Sequence, residues 1–329
     1  IVPEAADGHP RFAVGPGGRY VYEFTVRNPA GTYLYHPHPH GLTGAQVNRG
    51  LAGLVIVREA EERAWGLPAP AHELALVIQD RRLDGDNRLL HTRSMMDGMN
   101  GVLGDTVLVN GRLDAAFKVS PRPWCLRLAN VSNARIYKLA WSDGRPMRVI
   151  AADNGLLSAA EGVQTRPYVV LGPFERVEVL EDFGARRTGA EFALLSREFS
   201  GLEMMDGMTG RGGRPGGMMG GGMMGDMMRS MMGPAQGEAL TVARGAAEPL
   251  RLPPPAAPPE WRHERHTRLA FRHMRGFLDG RRFAMEDVAD DEHLPVGEGT
   301  VWTFTNDGGG MAMAHPMHIH GVRFRILER

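Results

Sequence analysis

Histidine is concentrated in two short segments that lie far apart in the sequence. Six of the 13 histidines fall in HPHPH, near the start of the chain, and in HPMHIH, near its end. Residues two apart on an extended strand point to the same face, so His36 and His38 can present two ring nitrogens to one point. His318 and His320 can do the same. The spacing therefore predicts a metal centre formed between the two segments.

The residues around these pairs limit which metal ions could bind there. His315 precedes His318 by three residues, an odd offset that would turn it toward the other face of a regular strand and to a different metal ion. His40 is expected to support the ligands through hydrogen bonds. Neutral imidazole suits copper, zinc, iron or nickel, and neither segment contains a carboxylate, so no hard-cation site is expected. Pro37 and Pro316 cannot donate to a strand ladder, which places both segments at strand ends or edges.

The composition excludes several classes of protein. Lys and Arg together number 38, as do Asp and Glu, so no net charge favours nucleic acid or an anionic membrane surface as a partner. No apolar run approaches the roughly 20 residues of a membrane-spanning helix. The single cysteine, Cys125, excludes an internal disulfide and a CxxC motif. We therefore expect a small or local partner.

Short apolar runs between turn residues predict an all-β fold. Residues 20–26 alternate apolar and polar side chains as a half-buried strand does. Similar runs recur as GLVIV, LALVI, DTVLV, PMRVI, RVEVL and VWTFT, separated by Gly, Pro, Asn and Asp. Helical periodicity is weak, although AEERAWG could form a turn or two. Many short strands without α/β alternation indicate β-sandwich domains.

Two compositional interruptions divide the chain. A Gly- and Met-rich insert covers residues 201–233, and a Pro-rich segment, PLRLPPPAAPPE, is typical of a semi-rigid linker. The length of 329 residues suggests two or three domains. We predict a first part at 1–62, a middle domain at 72–246 that contains the insert, a linker at 247–262 and a last part at 263–329.

The histidine segments and their flanks resemble the copper motifs of multicopper oxidases. GTYLYHPHPHGLTGAQVNRGLAGLVIV is similar to the second copper-binding motif of that family, and HPMHIHGVRFRIL to the third. DTVLVNG, RLANVSNARIYKLAWSDGRPMRVIAADNGLL and PFERVEVLEDF resemble the middle domain of three-domain bacterial members, above all the laccase-like copper-efflux oxidases. The resemblance implies cupredoxin-like Greek-key β-sandwich domains, with parts of three of them in this chain.

The resemblance also implies a role for each histidine. His36 and His38 would bind the type 3 copper pair, His318 the type 2 copper, His320 a type 3 copper and His315 the type 1 copper. This assignment agrees with the strand offsets, which separate His315 from its neighbours.

The activity implied by the resemblance is an oxidase reaction. The family oxidises a substrate one electron at a time at type 1 copper and reduces dioxygen to water at a trinuclear cluster. Copper would be the cofactor, and dioxygen and Cu(I) or a small phenolic reductant the partners of a periplasmic or secreted monomer. ADGHP resembles the segment after the first copper motif, so Asp7 is a candidate proton relay; a turn aspartate before Gly8 is the alternative.

The sequence departs from the family pattern in two places. The first motif, HWHG, and the fourth, an HCH segment that would supply the type 1 cysteine, are not found. Cys125 lies in the apolar run RPWCLRLAN without flanking histidines and is expected to be a buried small hydrophobe. We therefore expect an internal fragment of an oxidase that does not turn over alone.

The methionine-rich insert suggests a second copper function. Thioether sulfur is a soft ligand that selects Cu(I), and the glycines between the methionines would let the segment wrap an ion. A disordered low-complexity loop without a ligand role is the alternative. The 11 candidate ligands are Met204, Met205, Met208, Met218, Met219, Met223, Met224, Met227, Met228, Met231 and Met232.

Two other classes of function use the same residues. A non-catalytic copper-binding or copper-tolerance protein would need only the histidines and the methionine-rich insert. A zinc or iron hydrolase would use the same imidazoles, but it should also have a carboxylate base nearby in sequence, and neither segment has one.

Overall fold

A computed structural model describes most of the chain. The described residues are 2, 4–63, 65–91, 94, 95, 97, 101–153, 155–184, 189–198, 238–242, 252–254, 260–272, 275–284, 287–295, 297–307, 315–320, 322 and 324–327. They are dominated by β-strands, which confirms the predicted all-β class. Within them, no helix has the length and apolar character needed to cross a membrane.

The strands are short and follow one another closely. In chain order they are β1 (Gly31–Tyr35), β2 (Gly53–Val57), β3 (Glu73–Arg81), β4 (Thr106–Val109), β5 (Phe117–Val119), β6 (Pro123–Asn130), β7 (Tyr137–Trp141), β8 (Met147–Ala152), β9 (Gly155–Leu156), β10 (Gln164–Arg166), β11 (Val169–Leu171), β12 (Arg176–Asp182), β13 (Glu191–Arg197), β14 (Glu238–Val242), β15 (Trp261–Arg272), β16 (Arg275–Leu278) and β17 (Gly299–Asn306). A short helix, α1 (Thr43–Asn48), lies between β1 and β2.

Four sheets organise these strands. β1 and β2 form an antiparallel pair, and β16, β15 and β17 form a separate sheet near the end of the chain. The strands from β3 to β14 form two middle sheets. The first has the order β10-β8-β12-β6-β3-β4, with β9 paired to β8, and the second has the order β11-β7-β13-β14-β5. The two middle sheets are sandwiched around one core, which buries Leu128 and Val179 from the first sheet and Trp141 and Leu194 from the second.

The second face of the first middle sheet is buried under the β1–β2 pair. Side chains along β12 alternate, so Val177 and Val179 enter the sandwich core while Glu178 points to the opposite face. There β12 meets β1, and Glu178 is only 2% exposed. The register of β12 therefore places a carboxylate at the junction between the first part of the chain and the middle sheets.

A network of ion pairs and hydrogen bonds satisfies this buried carboxylate. Arg127 Nη1 donates to Glu178 Oε1 at 2.5 Å, and Thr32 Oγ1 of β1 donates to the same oxygen at 2.7 Å. The Arg127 Nε and Nη2 groups donate to Glu73, which also accepts two hydrogen bonds from Arg58. Burial by itself would raise the pKa of Glu73, but the hydrogen bonds from the two arginines outweigh it and lower that pKa.

Most of the predicted strands are confirmed. GLVIV forms β2, and the runs LALVI, DTVLV, PMRVI, RVEVL and VWTFT fall in β3, β4, β8, β12 and β17. The predicted strand at 20–26 is wrong: these residues have no ladder partner in the described part of the chain, and Val21 and Tyr22 are 72% and 60% exposed. AEERAWG forms a single short 3-10 turn at Ala60–Arg63.

The predicted domain boundaries stay a proposal. Three of the four sheets each take their strands from one predicted part, since β1 and β2 lie within 1–62 and β3 to β14 within 72–246. The last sheet begins at Trp261, so its first two residues fall in the predicted 247–262 linker.

A close backbone contact joins β1 to the middle sheets and supports a stability prediction. A Cβ at Gly155, where φ is +99°, would lie 2.5 Å from the carbonyl oxygen of Ala30. Gly162 also has a positive φ, +66°, but a Cβ there would meet no atom within 4 Å. Both alanine variants have a strained backbone, and only Gly155→Ala must also push the two segments apart. We expect Gly155→Ala to lower the free energy of unfolding by about 1–3 kcal/mol more than Gly162→Ala.

Urea denaturation of the two glycine variants measures this difference. Equal losses of stability would contradict the close packing of β9 against Ala30, because the strained backbone is common to both variants.

Candidate metal centre

The first histidine segment begins where β1 ends. Tyr35 is the last residue of β1, and Pro37 and Pro39 follow it at alternate positions. Proline lacks the backbone N–H that a ladder needs, so the strand ends here and the chain turns into α1. The second segment, 315–320, has no regular strand either, which agrees with the predicted placement of both segments outside strand interiors.

The two segments meet in space. Nitrogen atoms of His36, His318 and His320 lie within 4.8 Å of one another. The His36 ring centroid is 5.7 Å from that of His318, and the His38 centroid is 5.3 Å from that of His320. Three imidazoles from opposite ends of the sequence therefore converge, and the His38 ring lies beside them.

Hydrogen bonds to backbone carbonyls orient two of these rings. His36 Nδ1 lies 3.1 Å from the carbonyl oxygen of Pro37, and His320 Nδ1 lies 3.2 Å from that of Asp7. A carbonyl can only accept, so each Nδ1 carries the proton and each Nε2 has a free lone pair. Histidines that bind metals commonly donate their other ring N–H to a carbonyl or carboxylate in this way. His38 differs, because its Nδ1 is buried and has no hydrogen-bond partner among the described residues.

The surroundings of His36 and His318 favour the neutral form of both imidazoles. Burial, followed by repulsion from His320, His36, Arg176 and His38, lowers the pKa of His318 to about 4. Burial is also the main cause that lowers the pKa of His36. Neutral imidazole is the form that binds a metal.

The group fits copper better than a hard cation. Its donors are imidazole nitrogens alone, one of them buried and unpartnered, and the ring nitrogens are close enough to share ions. Such a donor set is suited to copper, zinc or another borderline transition metal.

The remaining two histidines of the segments lie outside this group. His315 is exposed and, within the described part of the chain, makes no ring contact with the other histidines. Burial of part of its ring lowers its pKa. His40 is exposed and its ring lies 5.4 Å from that of Phe283, rather than supporting His36 or His38. A type 1 copper at His315 stays a prediction.

Asp7 lies beside the group. Its carboxylate Oδ1 is 3.7 Å from His320 Nδ1, and its backbone carbonyl accepts the hydrogen bond from that nitrogen. A Cβ at the next residue, Gly8, would lie 3.0 Å from the Cβ of His38. The 7–8 turn therefore packs against both histidine segments.

Sequence reasoning missed a contribution from the middle sheets. The Phe174 ring, in the turn between β11 and β12, lies 4.7 Å from the His36 ring and 6.3 Å from the His318 ring. Arg176, at the start of β12, is close enough to lower the pKa of His318. In the sequence they appear only as part of PFERVEVLEDF, which resembles a middle domain, and after a Gly-Pro turn. Neither feature shows that this turn contacts the histidines.

Cys125 has the buried position expected of a small hydrophobe. It is 2% exposed and packs with Ile150 and Leu180. Burial raises the pKa of its thiol well above the ordinary value, so it stays protonated at neutral pH.

The structure does not test the predicted role of the methionine-rich insert. Residues 201–233 lie outside the described residues, and with them all 11 candidate methionines from Met204 to Met232. Cu(I) binding by this insert stays a prediction.

The family models and the solved structures that match this chain agree on one class of protein. Residues 3–62 and 258–329 each match a family model described as multicopper oxidase. A multicopper oxidase from Aquifex aeolicus, McoA, is structurally similar over 100% of this chain and 69% of its own, with a TM-score of 0.77 and 26% identity. A laccase from Pediococcus acidilactici covers 93% of this chain and 59% of its own, with a TM-score of 0.72 and 27% identity.

The curated relatives carry a different name. Cell division protein FtsP of Edwardsiella tarda is 38% identical over 215 residues, which are 64% of this chain and 43% of that protein. FtsP of Sodalis glossinidius is 37% identical over 206 residues, 61% of this chain and 41% of that protein. The chain thus matches about two fifths of the length of these relatives.

The sheets and the histidine group define an all-β, cupredoxin-like protein in which three imidazoles lie close enough together to hold a metal ion. With the two family matches and the structural similarity, this chain belongs to the multicopper oxidase family.

Proposed function

We propose that this chain supplies part of the oxygen-reducing copper centre of a multicopper oxidase. The observation that carries the proposal is the convergence of His36, His318 and His320, whose ring nitrogens lie within 4.8 Å of one another. The lowered pKa values of His36 and His318 support the same function, as do the carbonyl-bound Nδ1 atoms of His36 and His320.

Each histidine would have a specific role in copper binding. In our proposal His36 and His38 hold the type 3 pair, His320 a type 3 copper and His318 the type 2 copper. His315 would bind a separate type 1 copper. Copper held by these residues would supply the four-electron reduction of dioxygen to water, with electrons from Cu(I) or a small phenol and four protons taken up from solvent.

Protons for this reaction need a path to the centre. Asp7 Oδ1 lies 3.7 Å from His320 Nδ1, at the edge of the histidine group, and about one third of the side chain is exposed. A carboxylate in this position can take protons from water and release them toward the centre. We propose this relay role for Asp7 in a periplasmic or secreted oxidase.

A second candidate function is supported by the curated relatives. They are named for cell division rather than oxidation and are 37–38% identical in the two comparisons above. In this alternative the protein is a non-catalytic, periplasmic copper-binding or copper-tolerance protein that uses the histidine segments and the methionine-rich insert without turnover.

Copper loading followed by oxygen consumption separates the two functions. The full-length protein is loaded with Cu(II), its copper content is determined, and oxygen uptake is followed with Cu(I) and with a methoxyphenol as reductants. Uptake that is lost in His36→Ala supports the oxidase. Copper binding without uptake supports the second candidate, and failure to bind copper contradicts both.

The role of Asp7 gives a prediction for the same assay. Asp7→Asn removes the titrating group but keeps the side-chain shape, so the rate of oxygen uptake should fall while copper content stays unchanged. Asp86→Asn, at an aspartate whose side chain is 71% exposed, is the matched control and should leave both unchanged. A rate equal to that of the parent protein in Asp7→Asn would contradict the relay.

A further inference from the structure

We propose that Phe174, a residue of the middle sheets, positions the metal-binding imidazoles and closes one side of the centre. The inference rests on the proposed function, because it assigns a positioning residue to the same copper site. No resemblance of the histidine segments pointed to this residue, which lies about midway between them in the sequence.

The turn that carries Phe174 contacts both histidine segments. The Phe174 ring lies 4.7 Å from the His36 ring and 6.3 Å from the His318 ring, with interplanar angles of 59° and 61°. Two residues earlier, a Cβ added at Gly172 would lie 3.3 Å from the Cβ of Pro316. The turn between β11 and β12 therefore packs against both histidine segments, which come from the two ends of the chain.

The backbone of Phe174 is strained. Its φ is +65°, a left-handed conformation that a bulky aromatic residue rarely adopts and that glycine adopts without penalty. Such strain persists only where the surroundings fix it, and it is concentrated at functional sites.

Hydrogen bonds hold the strained turn in place. Phe174 N–H donates to the carbonyl of Asn130 at 2.8 Å, and Arg176 Nη1 donates to the carbonyl of Phe174 at 2.8 Å. Asn130 N–H donates back to the carbonyl of Glu175 at 3.1 Å. The turn is thus tied on both sides to β6 and β12, which hold the ring against the imidazoles.

Apolar packing alone does not account for this arrangement. Phe174 also contacts a small cluster around Val47, Ala129 and Val131. A residue with ordinary backbone angles could fill that cluster, whereas the left-handed angle directs the ring to the histidines. The ring restricts rotation of His36 about its bond to the chain and excludes water from that side.

Three substitutions separate strain from positioning. Phe174→Gly removes both the ring and the strain, Phe174→Ala removes the ring and keeps the strain, and Phe174→Leu keeps an apolar side chain without the ring. The control, Phe283→Ala, removes an aromatic ring from His40 instead of His36.

Copper release to a chelator and the electron paramagnetic resonance spectrum of bound Cu(II) are the readouts. We expect each Phe174 variant to release copper about 10- to 100-fold faster than the parent protein, as happens in other metal sites when a residue that orients a ligand is removed. The copper hyperfine splitting should change in Phe174→Leu. Phe283→Ala should match the parent protein in both.

Thermal unfolding of the metal-free protein tests the strain independently of copper. Phe174→Gly should unfold at a higher temperature than Phe174→Ala, because only glycine relieves the backbone. If Phe174→Gly fails to fold, Phe174→Leu still answers the question of positioning. Copper release at the parent rate in all folded Phe174 variants would overturn this inference and leave the proposed copper site intact, whereas a parent protein that binds no copper would overturn the proposed function.

Discussion

Replacing Arg127 with methionine is expected to lower the free energy of unfolding by about 3–5 kcal/mol, because it leaves the buried carboxylate of Glu178 without its positively charged partner. Arg127 is 3% exposed and donates to Glu178 and Glu73 at once. Methionine fills similar volume but donates no hydrogen bond. Glu178, 2% exposed, would then keep only its contacts with Thr32 and Cys125.

Urea denaturation of Arg127→Met and of a matched control measures this loss. Arg88 pairs with Asp86 at the surface, where their side chains are 76% and 71% exposed. Because exposed pairs contribute about 0–1 kcal/mol, Arg88→Met should change little. If the two variants lost equal stability, the buried network could not be what joins β1 to the middle sheets.

The buried network around Arg127 also contacts the strand that leads into the first histidine segment. Thr32 lies in β1, and His36 comes immediately after that strand. Loss of Arg127 should therefore loosen the strand that positions the first histidine segment.

The second large effect is expected at the histidines. His318→Ala should lower copper affinity by more than about 100-fold, because losing a ligand costs more than the roughly 10- to 100-fold effect of losing a residue that only orients a ligand. His318 is close to both His36 and His320. Titration of the metal-free protein with Cu(II) against a competing chelator measures the affinity.

His40→Ala is the matched control for that titration. It removes an imidazole from the same kind of segment, but the His40 ring lies against Phe283. Its copper affinity should equal that of the parent protein. An equal loss in His40→Ala and His318→Ala would mean that copper binds at scattered surface histidines.

The sequence allowed the histidine group to be predicted because its signal is local. Residue type and a spacing of two placed His36 with His38 and His318 with His320, and the structure brings both pairs together. The strands β2, β3, β8 and β12 were equally readable, because apolar residues bounded by turns are a property of adjacent positions.

Other parts of the site depend on distant partners and could not be read. Phe174 contacts His36 from a backbone with positive φ. A phenylalanine in a sequence gives no sign that its φ will be positive. The pairing of Arg127 with Glu178 depends on the register of β6 and β12. Residues 20–26 show the reverse failure, since an alternating pattern does not make a strand where no described segment pairs with it.

A double-mutant cycle in copper affinity between His36 and His318 tests the central claim most directly. The affinity of the full-length protein for Cu(II) is compared with those of His36→Ala, His318→Ala and the double variant. If the two segments hold one centre, the double variant should lose far less than the sum of the two single losses, because the shared site is already broken by either change. Additive losses would show that each segment binds copper separately and would contradict a joint centre.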